Sequence, residues 1–218
     1  MSRSALCVLL ILCVCLAHAE EPGTDTPYRK YYEQLGPAKA ADPGNALRIR
    51  LCPQPLEKGD ALPADLAFEI RDGDERTAMP MDARRCFELP ANAQWAEHDA
   101  VLHKNSNRKL RAVVDITGTV PASTQLSYAE LTASVPAFAR VIAAQGVMAR
   151  MFGPKAKGLE LKFASGAPQV VIVHATSGDI RYASDEHGVI HMPVDPQLNE
   201  ARVELSSLPV EIGPDVPG

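Results

Sequence analysis

The sequence predicts a mainly β, α+β protein made of two duplicated modules, each with one helix and about five short antiparallel strands in a sandwich-like arrangement. Three observations predict it. The chain matches itself in order at low identity, apolar residues alternate over short runs, and Gly-Pro and Gly-Asp steps punctuate those runs.

The first element is a leader. MSRSALCVLLILCVCLAHA places one Arg before an apolar run from Ala5 to Leu16 and ends in Ala17-His18-Ala19, the small-x-small pattern of a cleaved export signal. The expected division is a signal peptide over 1–19, a first module over 20–121 and a second over 122–218. The run is too short to span about 30 Å of hydrocarbon, and no later stretch is apolar for long enough to make a transmembrane helix. Neither Cys13 nor Cys15 has the lead-in that lipoprotein processing requires. The expected location is periplasmic or secreted. Signal removal leaves Cys52 and Cys86 where thiols oxidise, so one disulfide between them is expected. Their wide spacing suits a structural bond, not a redox pair.

The helices come next. Tyr28, Tyr31, Tyr32 and Leu35 share one helical face and precede Gly36-Pro37. Phe138, Val141, Ile142 and Gln145, then Met148, Ala149 and Phe152, do the same before Gly153-Pro154. Glycine followed by proline stops a helix, so both helices are expected to end there. In the second copy Ser127-x-x-Glu130 reads as a capping box, with Pro136 separating that turn from a helix over about 137–152. Its Val147, Met148 and Met151 are expected to pack in the core, the alternative being a partner-binding groove with Met as the adaptable surface.

The strands follow in the same order. Leu47 to Leu51 matches Leu159 to Phe163. Leu66 to Ile70 before Gly73-Asp74 matches Val170 to Val173 before Gly178-Asp179, each read as a Gly-Asp turn. Asp82 to Pro90 matches Asp185 to Pro193, and Gln94, Glu97 and Leu102 match Gln197, Glu200 and Leu205. The offset falls from 117 to 112 to 103, as trimmed loops in a second copy would give. On this alignment the counterparts of Cys52 and Cys86 are Ala164 and Val189.

Few residues carry an obvious chemistry. In GVIHMPVD, alternation puts Gly188, Ile190 and Met192 on one face and His187, Val189 and His191 on the other, so His191 is expected on the outer face of a strand. A strand holds His187 and His191 about 13 Å apart, too far for one metal, even with Asp185 or Glu186 as a third ligand. No nucleophile elbow, phosphate loop or calcium loop occurs, and Ser165-Gly166 reads as a turn. Asp74, Asp82, Asp179 and Asp185 read as turn caps. No catalytic, cofactor or metal residues are expected. The whole chain carries a net charge of −5, and its basic residues, such as Arg29-Lys30, Arg84-Arg85 and Arg108-Lys109, read as scattered, which argues against nucleic acid.

The unit Asp-x-x-Gly-apolar-x-apolar-x-Pro beside a Gly-Asp hairpin resembles the immunoglobulin-like and transthyretin-like β-sandwich modules of bacterial envelope proteins, over residues 65–105 and 168–212. The first copy departs from it with Arg85 in place of Gly188. The resemblance implies a binding or scaffolding module. The leading expectation is an exported, non-enzymatic accessory that binds another envelope protein. The alternatives are an inhibitor of an exported hydrolase acting through the Cys52 to Pro63 span, and an enzyme whose residues converge only in three dimensions. The sequence does not specify an oligomeric state.

Overall fold

The computed structural model describes residues 23–57, 59–164 and 167–216. The expected signal segment and the expected Ser165-Gly166 turn lie outside the described residues. In the first half, β1 (Thr24–Pro27) runs directly into α1 (Tyr28–Ala40). There follow β2 (Leu47–Pro55), β3 (Phe68–Asp72), β4 (Glu75–Met79), β5 (Phe87–Glu88), a short α2 (Ala93–Glu97), β6 (Val101–Lys104) and β7 (Leu110–Gly118). In the second half, β8 (Gln125–Ser127) runs into α3 (Tyr128–Thr132), α4 (Ser134–Ala144) and α5 (Val147–Phe152). Then come β9 (Gly158–Lys162), β10 (Val170–Ala175), β11 (Gly178–Ala183), β12 (Val189–Met192), a 3₁₀ turn at Pro196–Leu198, β13 (Arg202–Leu205) and β14 (Glu211–Asp215).

The sheets carry the duplication. The first half forms β1-β6-β3-β4 and β5-β2-β7, and the second forms β8-β13-β10-β11 and β12-β9-β14. Adding seven to every strand number converts one set into the other. All strand pairs are antiparallel. Each half thus has seven strands where the sequence pattern shows about five. The first and last of the seven were missed because β1 and β8 have only four and three residues and β7 is exposed over most of its length.

A buried tyrosine fixes each copy. Tyr28 and Tyr128 are fully buried at the first helical position after β1 and β8. The Tyr28 hydroxyl donates to the Pro90 carbonyl and accepts from the Asn92 N–H at 2.9 Å. The Tyr128 hydroxyl donates to Pro193 at 2.7 Å and accepts from the Asp195 N–H at 3.1 Å. The two backbone N–H groups bind Ala100 and Ala201, each at 2.9 Å. Two polar groups of a tight corner that would otherwise be unpaired are therefore satisfied by one side chain. Burial raises the pKa of both phenols and the backbone hydrogen bond opposes it only partly, so both remain neutral donors.

The Asp turns also coincide. The Asp82 carboxylate accepts from the N–H groups of Arg84 at 2.9 Å and Cys86 at 3.0 Å, and that of Asp185 accepts from His187 at 2.9 Å and Val189 at 2.8 Å. Arg85 has φ +62° and Gly188 φ +76°, so the turn is shared despite the change of residue. A non-glycine residue in this region costs about 1 kcal/mol. A hydrogen bond from the Arg85 guanidinium to the Pro63 carbonyl at 2.7 Å offsets part of that. Of the other aspartates, Asp179 pairs with His174 at 2.8 Å, while the β10–β11 turn is Thr176-Ser177 with Gly178 beginning the strand, not a Gly-Asp turn.

Four expectations need correction. α1 passes through Gly36-Pro37 to Ala40, because Leu35 and Ala38 on either side pack into the core and the Pro37 carbonyl still accepts from Ala41. The second helix breaks at Gly146, φ +105°, and Pro136 sits harmlessly in the first turn of α4. That break turns α5 away from the core and leaves Val147, Met148 and Met151 exposed by 72%, 70% and 59%. Strand register makes Lys162, opposite Val189, the counterpart of Cys52, and Val203 the counterpart of Leu102. The Ser127 capping box forms as expected.

The halves interlock. Ala137, Phe138 and Val141 of α4 belong to the same core cluster as Tyr28, Ile49 and Phe87, whereas Tyr128, Leu161 and Val203 form the other. The ends of β7 and β14 meet beside Gly118, where a side chain would meet Ser134 at 2.9 Å, whereas a methyl group at Gly213 would find only ordinary contact with the Gly118 backbone. Loss of one hydroxyl tests the duplicated corner. Tyr28→Phe and Tyr128→Phe each unpair two buried backbone groups, so each is expected to lower unfolding free energy by about 1–3 kcal/mol in denaturant titrations. A loss confined to one variant contradicts equivalence.

Candidate functional site

The site begins with a lysine on an inward-facing row. Leu102 and Lys104 alternate onto the same face of β6, and Leu102 is buried in the core. In β3, Ile70 lies opposite Leu102 and Phe68 opposite Lys104; in β10, Val173 lies opposite Val203 and Val171 opposite Leu205. Leu205 is therefore the counterpart of Lys104, and it is buried. The fold accepts leucine here, yet the first module places an ammonium group.

Around Lys104 the two sheets of the first module part to leave a cleft of about 390 Å³. Leu51, Phe68, Phe87 and Leu102 line its interior, with the Phe68 and Phe87 rings stacked at 4.6 Å. Thr26 and Tyr31 form part of the wall, and Lys104, Arg108, Lys109 and Arg111 also line it, with no acidic residue. The Lys104 ammonium donates to the Arg108 carbonyl, Arg108 to the Ala61 carbonyl at 3.4 Å, and Arg111 to the Gln54 amide oxygen at 3.0 Å. These acceptors are neutral. Among the described residues no carboxylate pairs with any of the four cations. Burial lowers the Lys104 pKa, so its charged form is disfavoured while no anion accompanies it.

The second module has no such charge. After Leu205 its connection to β14 reads Ser206-Ser207-Leu208-Pro209-Val210, against Asn105-Ser106-Asn107-Arg108-Lys109 in the first. The signal was present in the sequence as four cations and no acid over residues 104–111. Read as a scattered Arg108-Lys109 pair, it was missed, because only strand register shows that Lys104 faces inward and that the basic loop closes over it.

The Cys52–Cys86 disulfide forms, with Cα atoms 4.2 Å apart. It joins the residues next to Leu51 and Phe87, which are paired between β2 and β5 and line the cleft. The bond therefore braces the cleft interior as well as the module.

A second cluster lies outside the cleft. Arg50, buried, holds Asp82 at 3.0 Å and also binds Asp115. Asp115 meets Arg84 at 3.4 Å, Arg84 pairs with Glu211, and Lys162 bridges Glu211 at 2.8 Å and Glu160 at 3.1 Å. The chain of charges ends at His191, whose Nδ1 lies 3.0 Å from Asp215 and 3.8 Å from Glu160. It crosses from one module to the other through Arg84 and Glu211. His191 is on the exposed face of β12, as expected, and His187 points elsewhere, beside Glu186. Glu160, His191 and Asp215 could hold a cation, since their ligand atoms lie within 4.8 Å of one another. Lys162 competes for the same carboxylate, and the hydrogen bonds it donates to Glu211 and Glu160 raise its pKa against the opposing effect of burial. The cluster is therefore already partly neutralised. His98 pairs with Asp72, His103 with Asp25 and His174 with Asp179, each apart from the others.

Comparison of the chain with protein-family models, curated proteins and solved structures returns no match. Among the described residues no helix is long and apolar enough to cross a membrane.

Two measurements test these arrangements. By loop-closure entropy, reduction or the pair Cys52→Ser and Cys86→Ser should destabilise the first module by about 4 kcal/mol. Hydrogen exchange should show protection lost before residue 118 and also in α4, which shares that core; equal loss in β9, β10 and β13 contradicts it. Acid provides the second. Burial alone would raise the Asp82 pKa, but the Cys86 and Arg84 N–H groups and the Arg50 charge outweigh it and the net shift is downward. A lowered folded pKa gives stability that is present above the unfolded value of about 3.9 and lost as pH falls through the folded value. Asp82→Asn should flatten that acid limb in pH-dependent melts, and an unchanged limb argues against this assignment.

Proposed function

We propose that the chain is an exported, non-enzymatic binding protein that holds a ligand in the cleft of its first module, as an accessory to another envelope protein. One observation carries the reading: a cleft that reaches core residues and carries four cations without carboxylate partners among the described residues. Stability does not call for this arrangement, since the second module places a buried leucine at the position of half-buried Lys104. A volume of about 390 Å³ falls in the range of small-molecule sites, about 300–1,000 Å³. The leader over 1–19 and the disulfide support an extracytoplasmic setting. The exposed Val147, Met148 and Met151 of α5 supply an adaptable apolar surface for the envelope partner.

Native mass spectrometry of the full mature chain after incubation with envelope extract tests the reading. A bound small molecule is expected on the unmodified protein. Ala112→Trp, at an exposed strand position lining the cleft, should remove it while leaving the thermal melt unchanged. No bound molecule, or one retained by Ala112→Trp, overturns the cleft as the binding site.

A further inference from the structure

The cleft has two chemical zones in a fixed order. Leu51, Phe87 and Leu102, all core residues, line it on one side, and the cations lie along β6, the loop after it and the start of β7. A ligand that satisfies both zones must bury an apolar body first and leave an anion at the rim. Resting on the binding-protein reading above, we infer that the cleft binds a single-chain amphiphile, one aliphatic chain ending in an anionic headgroup.

Three physical arguments select this class. The volume, about 390 Å³, is near the lower end for ligand sites and suits one chain better than two. The lining also carries exposed Leu56 and half-buried Phe68, on which a hydrocarbon chain would gain about 25 cal/mol per Å² buried. The rim is cationic in a protein whose net charge is −5, so the local field there opposes the overall one and attracts an anion. Lys104 is central. It takes the place of a buried leucine in the other module, and among the described residues its ammonium donates to the Arg108 carbonyl and to no carboxylate, so an anion would supply the compensation that the protein withholds.

A free fatty acid and a one-chain lysolipid share this chemistry, and titration calorimetry on the full mature chain separates them. Dodecanoate, dodecanol and lysophosphatidylglycerol are used below their aggregation concentrations. Dodecanoate is expected to bind one to one and at least about tenfold more tightly than dodecanol, the difference expected of a hydrogen bond between charged groups. Added salt should weaken dodecanoate alone. Lys104→Leu should remove most of the difference between acid and alcohol without weakening the alcohol, and Ala112→Trp should weaken both. Binding of lysophosphatidylglycerol in preference to dodecanoate assigns the source as membrane lipid and sustains the inference, while the reverse preference assigns a free acid. Equal affinity for acid and alcohol, or an acid affinity indifferent to Lys104→Leu, overturns it. So does preferential binding of an acidic peptide. If both amphiphiles fail while Ala112→Trp still abolishes capture of a molecule from envelope extract, the amphiphile inference falls and the binding-protein reading stands. If that capture also fails, both fall.

Discussion

Each half of this protein depends on one phenolic hydroxyl. A tyrosine at the start of the helix reaches across the module to the corner between the fifth and sixth strands, where it accepts an N–H and donates to a carbonyl two residues away. The same residue's backbone N–H is held by the residue just before β6 or β13. Strand, helix and corner are thereby tied together in the same way in both halves, which also share one strand order. Because burial holds both phenols neutral, this donor and acceptor pair persists over the ordinary pH range.

Duplication on this frame leaves two open sides, and the halves close them against each other. α4 lends Ala137, Phe138 and Val141 to the first core, and β7 meets β14 beside Gly118, where a side chain would collide with Ser134 and crowd Ile212. Arg84 and Glu211 extend the contact as a charged ridge that runs from buried Arg50 to exposed His191. Most pairs in that ridge are partly exposed and each contributes about 1 kcal/mol or less. Arg50 is different, since removing a partner would leave a buried guanidinium uncompensated.

Much of the fold was legible in the sequence, for reasons that differ by element. Alternation over Leu47 to Leu51 and Val170 to Val173, the Asp82 and Asp185 turns and the Ser127 capping box are local signals, and local chemistry decides them. Gly36-Pro37 misled because packing of Leu35 and Ala38 outweighs the propensity of a single step. The matching of Tyr28 with Tyr128 was hidden by the longer helical segment of the second copy, which displaced the apparent alignment toward Gly153-Pro154. The disulfide was read correctly from parity and spacing. The cleft was not, because a lysine in a short strand looks like any exposed lysine until its cross-strand partner, Phe68, and its counterpart, Leu205, are known.

Comparing one module with the other gives the cleft its meaning. Shared positions, such as Leu51 with Leu161 and Phe87 with Ile190, keep the frame apolar. The inward lysine and the basic loop depart from that frame in one copy only. Such local departures from a structure's own rules are where function is expected. An amide chemical-shift map of the labelled full chain, recorded as dodecanoate is added, tests this most directly. The account predicts shifts in β2, β6, β7 and residues 105–109, with β9, β13 and β14 unchanged. Shifts of similar size in both modules, or shifts centred on α5, would contradict it.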